Sequence, residues 1–479
     1  MKSLLIIFLI YICGFFAVLL TDTWDRARQQ EYAIITSGAA VIASVDLFLR
    51  FGRTPHQFVG FEVMLKHPDV YVFSFGLDGL SCAFTVLSSL LIFLCIISIW
   101  NDERFQEYAC GLLVIGFFLV IIFTAESLIM FYVFFEAILI PMYLIIGIWG
   151  SRERKIRAVY LFFFYTLWGS LLTLIGILYI YSQTGSLNYE YLLSYPFSFT
   201  EQLFLWIAFF LSFASKIPMF PFHIWLPEAH VEAPTVGSTL LAGILLKLGV
   251  YGFIRYNLTL FFDASVYFSP IVYFLAIVGV LYASLTALRQ TDLKRIIAYS
   301  SIAHMNLVVL GIFSFNIPGL EGAIIQSLSH GFVSGGMFLI IGILYARYHT
   351  RFLHYYGGIV HFMPIFSGLF LIFTMANIAL PGTSSFIGEF LLLLGIYKEN
   401  TLAAVLSALG VILSGAYSLW LYNRVVFGNI KLNYTRLYSD INLREFIVIF
   451  SLLVFLFMLG ISPNIFLRRI HACSTLICF

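Results

Sequence analysis

Six ionisable side chains stand in apolar surroundings, and their types point to one kind of chemistry. Glu136 sits in FYVFFEAILIPMY, Lys216 in LSFASKIPMFPFH, Lys247 in LLAGILLKLGVYG and Glu389 in SSFIGEFLLLLG. His304, in SSIAHMN, and His330, in QSLSHGFVSGGMF, are flanked by Ser, Asn and Gly, which leave room for water. In chain order they read acid, amine, amine, imidazole, imidazole, acid. A charge at mid-bilayer costs roughly 2.5–3.5 kcal/mol even on a lenient insertion scale, so such a residue needs a partner or a function. Burial raises a carboxyl pKa and lowers that of an amine, while an opposite charge nearby does the reverse. A Glu–Lys pair that alternately closes and opens therefore loads and releases a proton at the lysine. Glu136 with Lys216 is the candidate pair; Lys247, His304, His330 and Glu389 are candidate relay members. The competing readings are a static ion pair and hydrogen-bonded packing histidines.

Four further residues attract attention for their setting. His223 and His230, in PFHIWLPEAHVEAP, are expected to cap an interrupted helix near the membrane surface. Lys294 and Arg295 follow Asp292 at a helix start and are read as interfacial, with a positioning role.

The elements that hold these groups follow from composition. Of 479 residues, 61% are hydrophobic, 18% aromatic and only 10% charged, and the mean hydropathy is +0.98. A soluble domain carries roughly 25% charged residues, so this chain cannot cover a water-facing surface. It reads as an all-α integral membrane protein. About fourteen spans of roughly twenty residues account for the apolar share, and the continuous apolar runs exclude the alternating pattern of a β-barrel. Helices are expected near 3–20, 33–50, 78–100, 108–125, 127–149, 157–182, 202–232, 236–258, 268–289, 293–314, 318–347, 362–397, 402–427 and 445–463. Lys2 with the apolar run to Leu20 resembles a signal peptide but has no small-x-small cleavage site, so it is read as the first span.

Two of these helices, 202–232 and 362–397, are too long for one crossing and are interrupted. The first contains Pro218 and Pro221, with Pro227 and Pro234 beyond; the second contains Pro364 and the Pro381-Gly382 pair. Proline removes a backbone donor and clashes with the preceding turn, and freed carbonyls at membrane depth survive only where protein or water satisfies them. Broken helices at corresponding places in two halves point to a transport site built on inverted repeats. The expected division is a three-helix segment over 1–107, five-helix repeats over 108–258 and 268–427, and a C-terminal helix and tail over 428–479.

Orientation follows from the distribution of Lys and Arg over alternate loops. The loops 21–32, 101–107, 150–157, 289–295, 347–361 and 424–444 hold 16 of the 26, and the opposite side with both termini holds 8. The termini are therefore expected to face outward. Only Lys216 and Lys247 belong to neither surface.

The net charge of +2, spread over short loops, offers nothing to nucleic acid. The six cysteines (Cys13, Cys82, Cys95, Cys110, Cys473, Cys478) form no C-x-x-C and suggest neither a disulfide framework nor an iron–sulfur or zinc site. No Gly-rich phosphate loop stands between a strand and a helix, so no nucleotide site is expected.

The segment PMFPFHIWLPEAHVEAPTVGSTLLAGILLKLGVYG (218–252) resembles the subunit 4 family of the proton-pumping NADH:ubiquinone oxidoreductase, respiratory complex I, known as chain M in bacteria. So do FFEAILIPMYLIIGIWG (134–150), TDLKRIIAYSSIAHMNLVVLGIF (291–313), SLSHGFVSGGMF (327–338) and LPGTSSFIGEFLLLLG (380–395). The resemblance covers roughly 75–465; before residue 75 no such motif stands out. It implies fourteen helices, two inverted repeats and a polar axis at mid-membrane. Within that axis Glu136 and Lys216 match the ion pair, Lys247 the central relay, Glu389 the exit-side acid, and His304 and His330 further members. It also implies that NADH, flavin, iron–sulfur clusters and ubiquinone are handled by other subunits, and that this chain binds none of them. The implied partners are lipids and other membrane-arm subunits, especially neighbouring antiporter-like ones. The expected location is the mitochondrial inner membrane, with a bacterial plasma membrane as the alternative. The wider fold is shared with sodium/proton antiporters. A cation/proton antiporter subunit without redox partners is therefore the competing function, disfavoured by LLKLG and by a glutamate in the second broken helix.

Overall fold

The computed structural model describes residues 2–22, 25–51, 61–62, 74–431 and 439–478. Arg53 and Lys66 lie outside the described residues, as do the side chains of Lys2, Cys473 and Cys478. Among the described residues, fourteen helical passes follow one another. They are α1 (Lys2–Leu19), α2 (Arg26–Phe51), α3 (Gly79–Ser98), α4 (Phe105–Thr124), α5 (Leu128–Trp149) and α6 (Lys155–Thr184). Then come α7 in two pieces, α7a (Phe199–Lys216) and α7b (Trp225–Glu232), followed by α8 (Thr235–Leu260), α9 (Phe262–Arg289), α10 (Leu293–Ile312) and α11 (Ile317–Tyr348). Next is α12, also in two pieces, α12a (Pro364–Asn377) and α12b (Ser384–Glu399), and the series closes with α13 (Thr401–Val426) and α14 (Leu443–Ile461). A final helix, α15 (Asn464–Cys478), replaces the expected tail. It carries Arg468, Arg469 and His471, which kept it from reading as a span. Two two-residue strands, β1 (Phe61–Glu62) and β2 (Ser74–Phe75), pair antiparallel.

Helices dominate because a backbone in lipid must satisfy its own polar groups. Their ends are marked by capping chemistry. At the start of α3, the Asp78 carboxylate accepts the Ser81 N–H (2.7 Å) and the Ser81 hydroxyl accepts the Asp78 N–H (2.8 Å), a reciprocal box that closes two orphan donors. Asn316 caps α11 by accepting from the Gly319 N–H at 2.9 Å, with Pro318 in the first turn, where no donor is needed. Gly185 ends α6 in the left-handed region (φ 69°), a conformation that suits a residue without Cβ.

The loops expected on the basic side are tied together by hydrogen bonds. Arg26 reaches the Trp100 carbonyl (2.7 Å), Arg444 the Asn101 side chain (3.1 Å) and the Trp149 indole Asp102 (3.1 Å). The Ser151 N–H binds the Glu232 carbonyl (3.1 Å), and the Leu353 N–H binds that of Thr291 (2.9 Å). From this side α4 starts a run of five helices ending with α8. The second run, α9–α13, starts from the opposite side because five is odd. The two runs are thus inverted, and the fourth helix of each is the broken one. At the centre, every residue of an 18-residue stretch of α8 and of α11 is buried, and 89% of the residues in such a stretch of α3 and α10, against 33% in α2, α6 and α14. The relay candidates Lys247 and His330 ride on the two innermost helices.

Candidate proton relay

Glu136, Lys216 and Lys247 sit where a helix departs from regular geometry, and Glu389 follows the break in α12. Pro141 has no N–H for the Ala137 carbonyl, and α5 divides at Ile138 into Leu128–Ala137 and Leu139–Trp149. Glu136 lies in the turn before that division. In α7 the chain leaves the helix at Ile217, beside Lys216, and the Ser215 carbonyl is taken by the indole N–H of Trp225 at 2.9 Å. In α12 the chain turns at Gly382 (φ 96°), and the Ser385 hydroxyl donates to the Ala376 carbonyl. Both breaks are thus closed by side chains from beyond the break, as buried backbone demands.

Lys247 is placed by a different device. Two π-helical turns, Leu241–Leu245 and Phe253–Asn257, interrupt α8 on either side of it; such turns recur at functional positions. In the first, the Leu246 N–H reaches back to the Leu241 carbonyl instead of to Ala242, and the Ala242 carbonyl accepts from Lys247 Nζ. Small residues bring the neighbouring helices close. A Cβ at Gly331 of α11 would lie 3.0 Å from the Gly243 carbonyl oxygen of α8, and this contact sets Lys247 beside His330. A Cβ at Gly249 would lie 2.9 Å from the Phe213 carbonyl and 2.5 Å from Ile217. The backbone of α8 near Lys247 therefore touches α7a on both sides of Lys216.

These contacts join four of the six expected residues. Lys247 Nζ is 2.8 Å from His330 Nδ1, the His330 and His304 rings are 6.0 Å apart, and His304 Nδ1 is 3.0 Å from Glu389 Oε1. All four are buried. His304 Nε2 and Glu389 Oε2 have no hydrogen-bond partner in the protein, which leaves each a free atom through which a proton can pass onward. Glu136 and Lys216 are neighbours but stand open. Lys216 Nζ is 4.3 Å from the centre of the Phe135 ring and 3.5 Å from the Phe135 carbonyl, and neither Glu136 oxygen is hydrogen-bonded. The two halves mirror each other with roles exchanged: acid on α5 and base on α7 in the first, base on α10 and acid on α12 in the second.

Several sequence expectations need correcting. His223 and His230 do not cap α7 at a surface. His223 is buried beside Phe220 and Tyr282, and His230 is fully buried against Phe338. Their spacing from the prolines suggested a helix end, but α10 and α11 pack over that end. Lys294 is likewise buried rather than interfacial, donating to the Ala233 carbonyl at 2.7 Å. Arg295 does sit at the edge, half-exposed and paired with Glu228 at 2.6 Å.

The sequence reading missed Gln326, whose amide donates to Glu389 Oε1 at 3.1 Å. It also missed a buried charge cluster on the basic side, in which Arg351 binds Glu232 (2.9 Å), Asp292 (2.7 Å) and the Val231 carbonyl. Burial raises the Asp292 carboxyl above its usual range, against the lowering pull of Arg351. Gln326 gave one usable signal: it is an amide four residues before His330 on the same helix face. The cluster gave none, since its members are 59 residues apart or more.

Comparison with known proteins places this architecture. Residues 125–415 match the family described as NADH:quinone oxidoreductase/Mrp antiporter transmembrane proteins. NADH-ubiquinone oxidoreductase chain 4 of Marchantia polymorpha is 51% identical over 441 residues, 91% of this chain and 89% of that one. The protein of the same name from Arabidopsis thaliana is 51% identical over 89% and 87%. A chain in the structure of respiratory complex I from Thermus thermophilus with bound NADH superposes with a TM-score of 0.88 at 30% identity, covering 99% of both chains. A chain of the Mrp complex from a Dietzia species gives 0.88 at 20% identity over 100% and 98%, a likeness of fold alone.

Proposed function

The chain belongs to the family of transmembrane subunits shared by NADH:quinone oxidoreductases and Mrp antiporters, and we propose that its proton path runs through Glu136, Lys216, Lys247, His330, His304 and Glu389. Its relatives fix the larger setting. It is a proton-pumping membrane-arm subunit of the H+-translocating NADH:ubiquinone reductase, a multi-pass protein of the mitochondrial inner membrane working beside other antiporter-like subunits. The NADH, flavin, iron–sulfur clusters and ubiquinone belong, on this reading, to other subunits of the complex. This chain supplies the proton route.

The observation that carries the proposed route is the buried series Lys247–His330–His304–Glu389, with its 2.8 Å and 3.0 Å hydrogen bonds. Three bases in a row lead to one acid, so a proton entering at one end displaces another at the next group. Glu136 and Lys216 form the gate. When they close, the carboxylate favours the charged lysine; when they open, burial favours the neutral amine, and its proton moves toward Lys247. We read 108–258 and 268–427 as the two functional repeats, one holding the gate and the other the acid end.

The test is NADH-driven proton uptake by the assembled complex carrying Glu136→Gln or Glu389→Gln. Each amide keeps shape and removes the proton-binding group. Uptake should fall in both with normal assembly, and wild-type uptake in both would overturn the assignment. A cation/proton antiporter without redox partners is the less supported reading, because the NADH-ubiquinone oxidoreductase chains are 51% identical and the Mrp chain only 20%. Isolation of the chain with only antiporter partners would restore it.

A further inference from the structure

The carboxylate that ends the proposed route is held by more than its histidine. Glu389 Oε1 meets both His304 Nδ1 at 3.0 Å and the donating amide of Gln326 at 3.1 Å, while Oε2 has no hydrogen-bond partner in the protein. Gln326 is itself 1% exposed, and its own carbonyl oxygen Oε1 has no partner. Burying an amide with one end unpaired costs free energy. A methionine or leucine would fill the same space without that cost, so the amide N–H is the part of this side chain with a use.

The fold leaves the amide little freedom. α11 and α12b touch backbone to backbone: a Cβ at Gly322 would lie 2.6 Å from the Leu392 nitrogen, and one at Gly388 would lie 2.8 Å from the Gln326 Cα. The Gly388 Cβ would also lie 2.5 Å from Gln326 Oε1, so α12b meets the amide one residue before Glu389. His304 reaches the same carboxylate oxygen from α10.

We propose that Gln326 is a positioning residue that resets Glu389 after each proton, its amide drawing Oε1 of the charged carboxylate back against His304. The proposal rests on the relay reading of Glu389 given above. Hydrogen bonds to a charged group are roughly twice as strong as neutral ones. The ionised carboxylate is therefore held by both donors, with Oε1 placed to take the Nδ1 proton of His304. Once protonated, the carboxyl is neutral and both hydrogen bonds weaken. The group then turns and gives up its proton on the side where Oε2 has no partner. Loss of the proton restores the charge, and the amide recaptures one oxygen. One proton enters and one leaves per cycle, no electrons move, and Gln326 itself binds no proton.

The test is NADH-driven proton uptake, followed across pH, by the assembled complex carrying Gln326→Met, which keeps length and removes the donor. Gln326→Leu is the second variant and Glu389→Gln the reference. Uptake per assembled complex should fall roughly tenfold in both Gln326 variants, as expected when a hydrogen bond to a charged group disappears. The shape of the pH profile should also change, because an amide donated to a carboxylate alters that group's proton affinity. The ionisable neighbours of Glu389, His304 on α10 and the Tyr417 phenol on α13, are the same in wild type and variant. Loss of the same fraction at every pH would assign the amide to packing and overturn the proposal. Wild-type uptake in Gln326→Met beside loss in Glu389→Gln would also overturn it and leave the relay standing. Wild-type uptake in Glu389→Gln as well would instead sink the relay reading itself. Failure of both Gln326 variants to assemble would show that the side chain serves packing, and would overturn the proposal too.

Discussion

Gly331→Ala alters no titratable group and no hydrogen-bonding side chain, yet it should slow proton transfer. The new Cβ would sit 3.0 Å from the Gly243 carbonyl oxygen and 3.0 Å from both Leu87 methyls. Leucine methyls can turn aside, but a helix carbonyl cannot. Reaching ordinary contact requires α8 and α11 to separate by about 0.4 Å, the kind of shift that overpacking forces on a close-packed interior. The 2.8 Å contact between Lys247 Nζ and His330 Nδ1 spans that interface one residue away. Stretched to about 3.2 Å, it reaches the edge of hydrogen-bond range. If half of a charge-assisted bond of roughly 1.5–3 kcal/mol is lost, the penalty is about 1 kcal/mol, or about fivefold in rate. The helix itself gains up to about 1 kcal/mol from alanine, so assembly should persist. The assay is NADH-driven proton uptake in sealed membranes, normalised to assembled complex. Gly335→Ala is the control: it lies one turn further along α11, where a Cβ would meet Leu91 and Thr239 at an ordinary 3.5 Å, and it should be silent. Unimpaired uptake in Gly331→Ala, or equal loss in Gly335→Ala, would refute the claim that this helix spacing sets the relay distance.

Two other substitutions probe the surroundings of the path. Trp225→Phe strips the donor from the buried Ser215 carbonyl and should cost about 1–3 kcal/mol, read as a lower unfolding temperature of the complex in detergent. Arg351→Ala leaves Glu232 and Asp292 without their shared cation and should cost about 3–5 kcal/mol. Assembled complex should become scarce at raised temperature, and Arg351→Lys should restore it in part, because an ammonium cannot match the two-sided guanidinium fork.

Much of this molecule was legible in its sequence because a bilayer enforces simple rules. Apolar runs marked fourteen passes, and prolines marked both interruptions. The six relay candidates stood out because a charge in an apolar run needs a partner or a function. Their pairing was not. Lys247 and His330 are 83 residues apart, and their contact depends on Gly243 and Gly331 letting two helices touch. The partnership of His304 with Glu389 depends in the same way on how α12b packs against α10. His230 and Lys294 were misplaced for a related reason. Position near a helix end suggests exposure, but in a polytopic protein a neighbouring helix can cover that end. The π-helical turns around Lys247 also left no trace, because LLAGILLKLGVYG reads as a regular apolar helix.

The central claim is that protons cross by way of Lys247, and the most direct measurement is proton uptake by sealed membranes holding the Lys247→Ala complex. Proton uptake and NADH oxidation are recorded together at matched assembly, with and without an uncoupler. The account predicts at least a tenfold loss of uptake with the complex intact, as expected when a positioned proton carrier is removed. Wild-type uptake at wild-type assembly would contradict it.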